Sequence, residues 1–249
     1  MSDGVLLEVC VDDAAGLHAA VEGGADRIEL CSSLDLGGVT PSAGLMAEAS
    51  RAGLPVIALI RPRAGGFVYT ANEERVMLRD IELVAELGLA GVAIGALNPD
   101  GGLALALLER LVARAVGLQL TLHRAFDLVP DPAEALEQAI TLGFHRILTS
   151  GGAVHAPAGA AQLAACVALS RGRIGILAGS GITPANVGAL LAATGVREVH
   201  ASCRAPGAEA SPELIAFGFS AASPSRRTSA AVVRELKLCL TDQKHSIDP

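Results

Sequence analysis

Five short stretches put ionisable or nucleophilic side chains where aliphatic ones would be expected. They are "LLEVCV" with Glu8 and Cys10, "RIELC" with Glu29 and Cys31, "LIRPR" with Arg61 and Arg63, "TLHRAFD" with His123 and Asp127, and "EVHASC" with His200. Each type suggests its own chemistry. Thiols beside an imidazole suit a soft metal ion. Carboxylates in unlike surroundings can divide into an acid and a base, and histidine titrates near neutrality. Two guanidinium forks held apart by the stiff Pro62 suit a carboxylate or a phosphate.

These residues need a scaffold that brings them together, and the remaining sequence supplies a rhythm for one. Eight short aliphatic runs recur: "VLLEVC" from Val5, "RIELC" from Arg27, "VIALIRPR" from Val56, "GVAIGAL" from Gly91, "LQLTLHRAFD" from Leu118, "RILTSG" from Arg146, "IGILAGSGI" from Ile174 and "EVHASC" from Glu198. Each is followed by an Ala/Leu/Glu-rich stretch with helical spacing, the pattern of βα units and a parallel sheet. Helix punctuation agrees: "DPAEALEQAITLGF" offers Asp131 as N-cap, Pro132 in the first turn and Gly143 at the end, and "TPANVGALLAATG" repeats the scheme. Eight units predict a closed (β/α)₈ TIM barrel, with a doubly wound open sheet as the other fold of this rhythm. At 249 residues the chain is expected to form one domain over 1–249, with an irregular connection over 204–228 and a final helix over 229–240.

Alternation then assigns faces. Leu7, Val9, Ile28 and Leu30 turn outward to the helices, which turns Glu8, Cys10, Glu29 and Cys31 inward. The same parity sends Arg61, Arg63, Thr121, His123, Asp127, Glu198, His200 and Ser202 to the interior. Such polar groups are costly inside unless paired or hydrogen-bonded around a wet cavity. Two outcomes stay open, a ligand site or an internal ion-pair network with no ligand. "ILAGSGITPANV" places Gly179 and Gly181 where a strand runs into a helix N-terminus, a position at which barrels hold phosphate, although glycines there can also serve only a tight turn.

Composition narrows the partners. A formal net charge of −7 argues against broad binding to nucleic acid or to an anionic membrane surface. No uninterrupted apolar run reaches the roughly 18 residues of a membrane helix, and the N-terminus lacks a leader pattern, so the cytoplasm is expected. Five cysteines, odd in number and without a C-x-x-C pair, argue against a disulfide framework or a zinc knuckle. Cys166 and Cys239 fall on helical stretches and are expected to be packing residues.

From about Leu7 to Ser202 the chain resembles the CutC copper homeostasis family. The resemblance is carried by "LEVCVDD", "GGADRIELCSSLDLGGVTPSAGL", "IRPRAGGFVYT", "TLHRAFD", "RILTSGG", "AGSGITPANV" and "EVHASC". It implies a (β/α)₈ barrel, a cytoplasmic homo-oligomer and a Cu(I)-binding role in copper homeostasis. Gly66 and Ala104 stand where the family pattern has acidic residues. On this reading Cys10 and Cys31 bind Cu(I), with His123 or His200 adding a nitrogen. The alternative is an isomerase, aldolase or lyase acting on a small phosphorylated or carboxylated molecule. There Glu8, Glu29, His123 and Asp127 supply acid and base, and Arg61, Arg63, Gly179 and Gly181 bind the anion. Neither reading needs an organic cofactor. The only lysines are Lys237 and Lys244, both in the tail, which argues against Schiff-base chemistry.

Overall fold

The computed structural model describes residues 4–221 and 225–242. Eight parallel strands pair in sequence order: β1 (Leu6–Val11), β2 (Arg27–Leu30), β3 (Val56–Leu59), β4 (Gly91–Ile94), β5 (Gln119–Leu122), β6 (Arg146–Thr149), β7 (Gly175–Gly179) and β8 (Glu198–Ala201). β8 pairs back onto β1, so the sheet is a closed barrel and the open-sheet alternative is excluded. Around it run α1 (Ala14–Gly23), α2 (Ala43–Ala49), α3 (Ala71–Glu86), α4 (Leu105–Arg114), α5 (Pro132–Thr141), α6 (Ala160–Ser170) and α7 (Pro184–Thr194).

Local chemistry explains the joins. The Asp131 carboxylate accepts the Ala133 and Glu134 N–H groups at the start of α5, and Pro132 fills a first-turn position that has no N–H to satisfy. Thr70 and Glu73 form a reciprocal capping box on α3. Ala104 is the N-cap of α4 and gives it no side-chain hydrogen bond. The carboxylate of the family pattern at that position would therefore sit at a helix start, outside the barrel interior.

The strand faces divide as alternation predicts. Leu7, Val9, Ile28, Leu30, Ala58, Val92, Ile94, Leu122, Ile147 and Val199 belong to the main apolar core between sheet and helices. A second, small apolar cluster of Cys10, Cys31, Ile57, Leu59 and Ala93 lies inside the barrel. Register brings the interior polar residues side by side, with Glu8 opposite Arg27 on β2 and His200 on β8.

Two strands are shorter than the sequence suggests. β3 stops at Leu59 and β5 at Leu122, whereas the aliphatic runs continue to Arg63 and Asp127. Pro62 cannot donate to a ladder, and residues Arg124–Leu128 turn into a 3₁₀ helix, so two-residue alternation lapses beyond those points.

The described residues of the segment 204–228 include regular elements that the sequence does not predict. It holds β9 (Arg204–Pro206), α8 (Pro212–Ala216) and β10 (Arg226–Thr228), with β9 and β10 antiparallel. Arg204 Nε donates to the Arg226 carbonyl and Arg226 Nη2 to the Arg204 carbonyl, both at 2.9 Å. Strands of three residues are too short for hydrophobic alternation to reveal. The last described element is α9 (Ala230–Asp242), close to the expected 229–240, packed against α1 and α7. Among the described residues no helix is long and apolar enough to cross a membrane.

Candidate functional site

The barrel interior begins, on its N-terminal side, with an ion-pair layer. Glu8 is 1% exposed and is clamped between Arg27 Nε and His200 Nδ1, the latter at 2.7 Å from Oε1. Arg27 Nη2 also donates to Glu198 at 2.6 Å. Arg146 approaches the same Glu198 carboxylate at 3.3 Å through an Nε–H not aimed to hydrogen-bond, while its terminal nitrogens reach Thr121 and Gln119. Burial alone would raise the Glu8 pKa, but the Arg27 charge and the His200 contact outweigh it and bring it down to about 2. Glu8 is thus an ionised anchor sealed below the cavity. It bonds the His200 ring and does not line the cavity.

Above this layer, adjacent strands present Cys10, Glu29, Cys31 and His200. Cys10 Sγ donates to Glu29 Oε2 at 3.2 Å and lies 3.7 Å from Cys31 Sγ. His200 Nε2 is 3.8 Å from the same Glu29 oxygen. One ligating atom each from Cys10, Glu29 and His200 falls within 4.8 Å of the others. The Cys31 contact, burial and the Glu29 charge all push the Cys10 thiol well above its usual range, so it is protonated at neutral pH. Burial raises Glu29, against the pull of His200; His200 is raised by its two carboxylates in spite of burial. Cys10, Glu29 and His200 form the floor of a cavity of about 630 Å³ at the C-terminal end of the barrel, the end at which barrel enzymes do their chemistry, whereas Cys31 is fully buried and does not line it.

Another part of the wall is built from Arg61, Phe67 and His123. The Arg61 guanidinium lies over the Phe67 ring, 5.1 Å from its centroid, and the Phe67 and His123 ring centroids are 5.0 Å apart. Arg61 spends its terminal nitrogens on the carbonyls of Leu36, Gly38 and Gly65, tying the loops after β2 and β3 together. His123 Nδ1 accepts the Ala125 N–H at 3.1 Å, and its Nε2 has no partner among the described residues. Burial and the Arg61 charge lower its pKa to about 3.

His123 owes its position to Gly95, the residue just past the end of β4. A Cβ at residue 95 would lie 2.5 Å from His123 Cε1 and 2.6 Å from Nδ1. Gly95→Ala is therefore expected to displace the ring from its Ala125 contact and to cost about 1–3 kcal/mol by overpacking. An unchanged urea-unfolding midpoint would show that the ring is not held there.

The rim is formed by the loops after β7 and β8, including Ser180, Gly181, Ser202, Cys203, Arg204 and Arg226. Ser180 and Cys203 adopt left-handed backbone, φ 79° and 48°, which costs a residue with a side chain. Gly181, at φ 70°, lines the cavity as the sequence suggests. Gly179 is different: Leu148 and His200 fill the space where its Cβ would stand, so it serves close packing of the interior and is not a cavity-lining residue.

Two other sequence-predicted residues lie away from the cavity. Arg63 bonds Glu73 and the carbonyls of Ala64, Gly66 and Val68, with its guanidinium over Tyr69. Once Pro62 ends the alternation, its side chain points over the surface. Asp127 lies in the 3₁₀ turn and accepts from Thr149 Oγ1, the Ser150 and Gly152 N–H groups and Arg124, fixing the loop after β6. Conversely, Arg27 and Arg146 are interior residues that the sequence reading passed over. Alternation places both inside, since Arg27 stands two residues before the inward Glu29 and Arg146 stands next to the outward Ile147.

A match to the CutC family model covers residues 5–205. A CutC family protein of Sinorhizobium medicae is 54% identical over 236 residues, 95% of this chain and 96% of that protein. One of Agrobacterium fabrum is 53% identical, over 95% and 94% of the two chains. A solved structure from Streptococcus agalactiae, whose name assigns it provisionally to copper homeostasis as CutC, superposes with a TM-score of 0.77. It is 33% identical and is covered to 98%, against 80% of this chain. The residues of the cavity floor and wall, from Cys10 to His200, all fall inside the matched span, and on this agreement of sequence and barrel the chain belongs to the CutC family.

Proposed function

We propose that Cu(I) binds at the cavity floor through Cys10 and the buried Cys31 next to it, with His200 and Glu29 beside them. The observation that carries this reading is the meeting of two thiols from adjacent strands at 3.7 Å, next to the cluster of Cys10, Glu29 and His200. Thiolate and imidazole are the donors a soft monovalent copper ion prefers. Binding requires the Cys10 and Cys31 protons to leave, and Glu29, whose carboxylate already accepts from Cys10 Sγ and lines the cavity, stands where it can pass the Cys10 proton on to solvent.

Uptake should therefore strengthen with pH, by up to about tenfold per unit for each proton released. A titration with Cu(I) against a competing chelator, under reducing conditions, tests this with the wild type and with Cys10→Ser and Cys31→Ser. Each substitution is expected to weaken binding by at least about tenfold. Equal affinity in all three proteins would end the thiol-site reading.

A second reading is favoured by the size of the cavity and its unpartnered donors. A volume of about 630 Å³ suits a small organic molecule better than a lone ion. In this reading the cavity takes a small carboxylated or phosphorylated substrate for isomerase or lyase chemistry. Glu29 and His200 would exchange protons with it, Glu8 would orient His200, and Arg61 would supply positive charge. Lys237, the one lysine among the described residues, is bound to Asp26 on the outside of the barrel, in keeping with a mechanism without a Schiff base.

A further inference from the structure

Two buried donors in the cavity wall have no partner among the described residues: Nε of Arg61 and Nε2 of His123. Buried donors are rarely left unpaired, because each forfeits the hydrogen bond that water would have given it, so each demands an explanation. Arg61 is 6% exposed and His123 4% exposed, and both line the same cavity with Phe67 between them.

The rest of each side chain is accounted for. Arg61 uses its terminal nitrogens on three backbone carbonyls, and none of its nitrogens is bonded to a carboxylate among the described residues. Its positive charge is left for something that enters the cavity. His123 Nδ1 accepts a backbone N–H, which fixes the tautomer: the single ring proton is on Nε2. That nitrogen is therefore a donor.

We propose that the wall of Arg61, Phe67 and His123 is a binding subsite for a small carboxylate that also carries a carbonyl, with His123 Nε2–H as a neutral donor to a ligand oxygen. The proposal rests on the reading of the cavity as an organic-ligand site and adds to it the ligand class and the donor. Arg61 favours the anion, the Phe67 face covers the flat carbon skeleton, and the imidazole supplies a directional bond. A neutral imidazole polarises a carbonyl without being discharged by it, a use known in other barrel enzymes. The low pKa of His123, about 3, keeps that donor neutral through the physiological range.

Pyruvate and lactate are suitable probes, since they share a carboxylate and differ at the carbonyl. Binding would be followed by calorimetry and by ¹⁵N NMR of the histidine side chains, in the wild type, His123→Leu and His123→Gln. Pyruvate is expected to bind more tightly than lactate and to shift the His123 Nε2–H resonance. His123→Leu is expected to weaken pyruvate binding by about tenfold or more, and His123→Gln, which keeps a donor near the Nε2 position, to recover part of the loss.

Bound pyruvate that leaves the Nε2–H resonance unmoved would overturn the subsite while sparing the wider cavity reading. So would a His123→Leu protein that binds pyruvate as well as the wild type. Failure of both probes to bind the wild type would overturn the proposed ligand class. Should a panel of phosphorylated and carboxylated molecules also fail, the organic-ligand reading would fall with it. The wild-type NMR experiment decides the matter even where a variant does not fold.

Discussion

Replacing Arg27 with methionine is expected to destabilise the protein by about 3–5 kcal/mol, the usual cost of removing one partner from a buried charge pair. Arg27 is 3% exposed and serves two carboxylates, Glu8 and Glu198. Without it Glu8 keeps only His200, and Glu198 keeps only the imperfect approach of Arg146. The loss should be far larger than that of an exposed pair of similar length, such as Arg114 with Glu82 at 2.7 Å, which solvent screens.

The companion variant Glu8→Gln/Arg27→Met removes both charges of the central contact. It should be less destabilised than the sum of the two single substitutions, because neither leaves the other stranded. Urea unfolding of the four proteins measures the coupling. Strict additivity would mean that Arg27 and Glu8 do not depend on each other for their burial.

The second large effect is expected in acid. His123 is buried as a neutral ring with a pKa of about 3, against about 6.5 in the unfolded chain. As pH falls below about 6.5 the unfolded chain binds a proton that the folded protein refuses, so stability drops by about 1.4 kcal/mol per pH unit until the folded value is reached. Other groups act in different windows or with opposite sign. His200, raised by its carboxylates, contributes stability that is complete below the unfolded pKa and fades as pH rises through its folded value. Glu8, lowered to about 2, contributes stability that is lost only as pH falls from the ordinary carboxylate range toward that value. Glu29, raised by burial, partly offsets the His123 slope.

Comparison with His123→Leu cancels these shared contributions. The stability difference between wild type and variant should change by roughly 2–3 kcal/mol between pH 6.5 and pH 4.5, in the direction that favours the variant in acid. Parallel pH profiles for the two proteins would show that His123 is not buried as a neutral group.

The difference between what could and could not be read from sequence lies in where alternation applies. Along a strand, side chains alternate strictly, so the inward placement of Glu8, Cys10, Glu29, Cys31 and His200 followed from their neighbours. The same rule failed at Arg63 and Asp127, because it was carried past the ends of β3 and β5 into a proline-broken loop and a 3₁₀ turn. It was also applied too selectively at Arg27 and Arg146, whose parity marked them as interior residues. The hairpin of β9 and β10 was invisible for another reason. It is held by reciprocal arginine-to-carbonyl bonds between residues 22 apart, and three-residue strands leave no periodic trace.

The sequence by itself determined the eight-fold βα rhythm, the outward aliphatic faces and the stock of thiol, carboxylate, guanidinium and imidazole turned inward, since each of these depends only on local spacing. The tertiary structure alone decided how that stock is divided. Strand register puts Glu8 between Arg27 and His200 and makes it an anchor. The close approach of two strands brings Cys10 to Cys31, and the room left by Gly95 seats the His123 ring. Those assignments depend on distances between residues far apart in the chain, and such distances exist only once the barrel has closed.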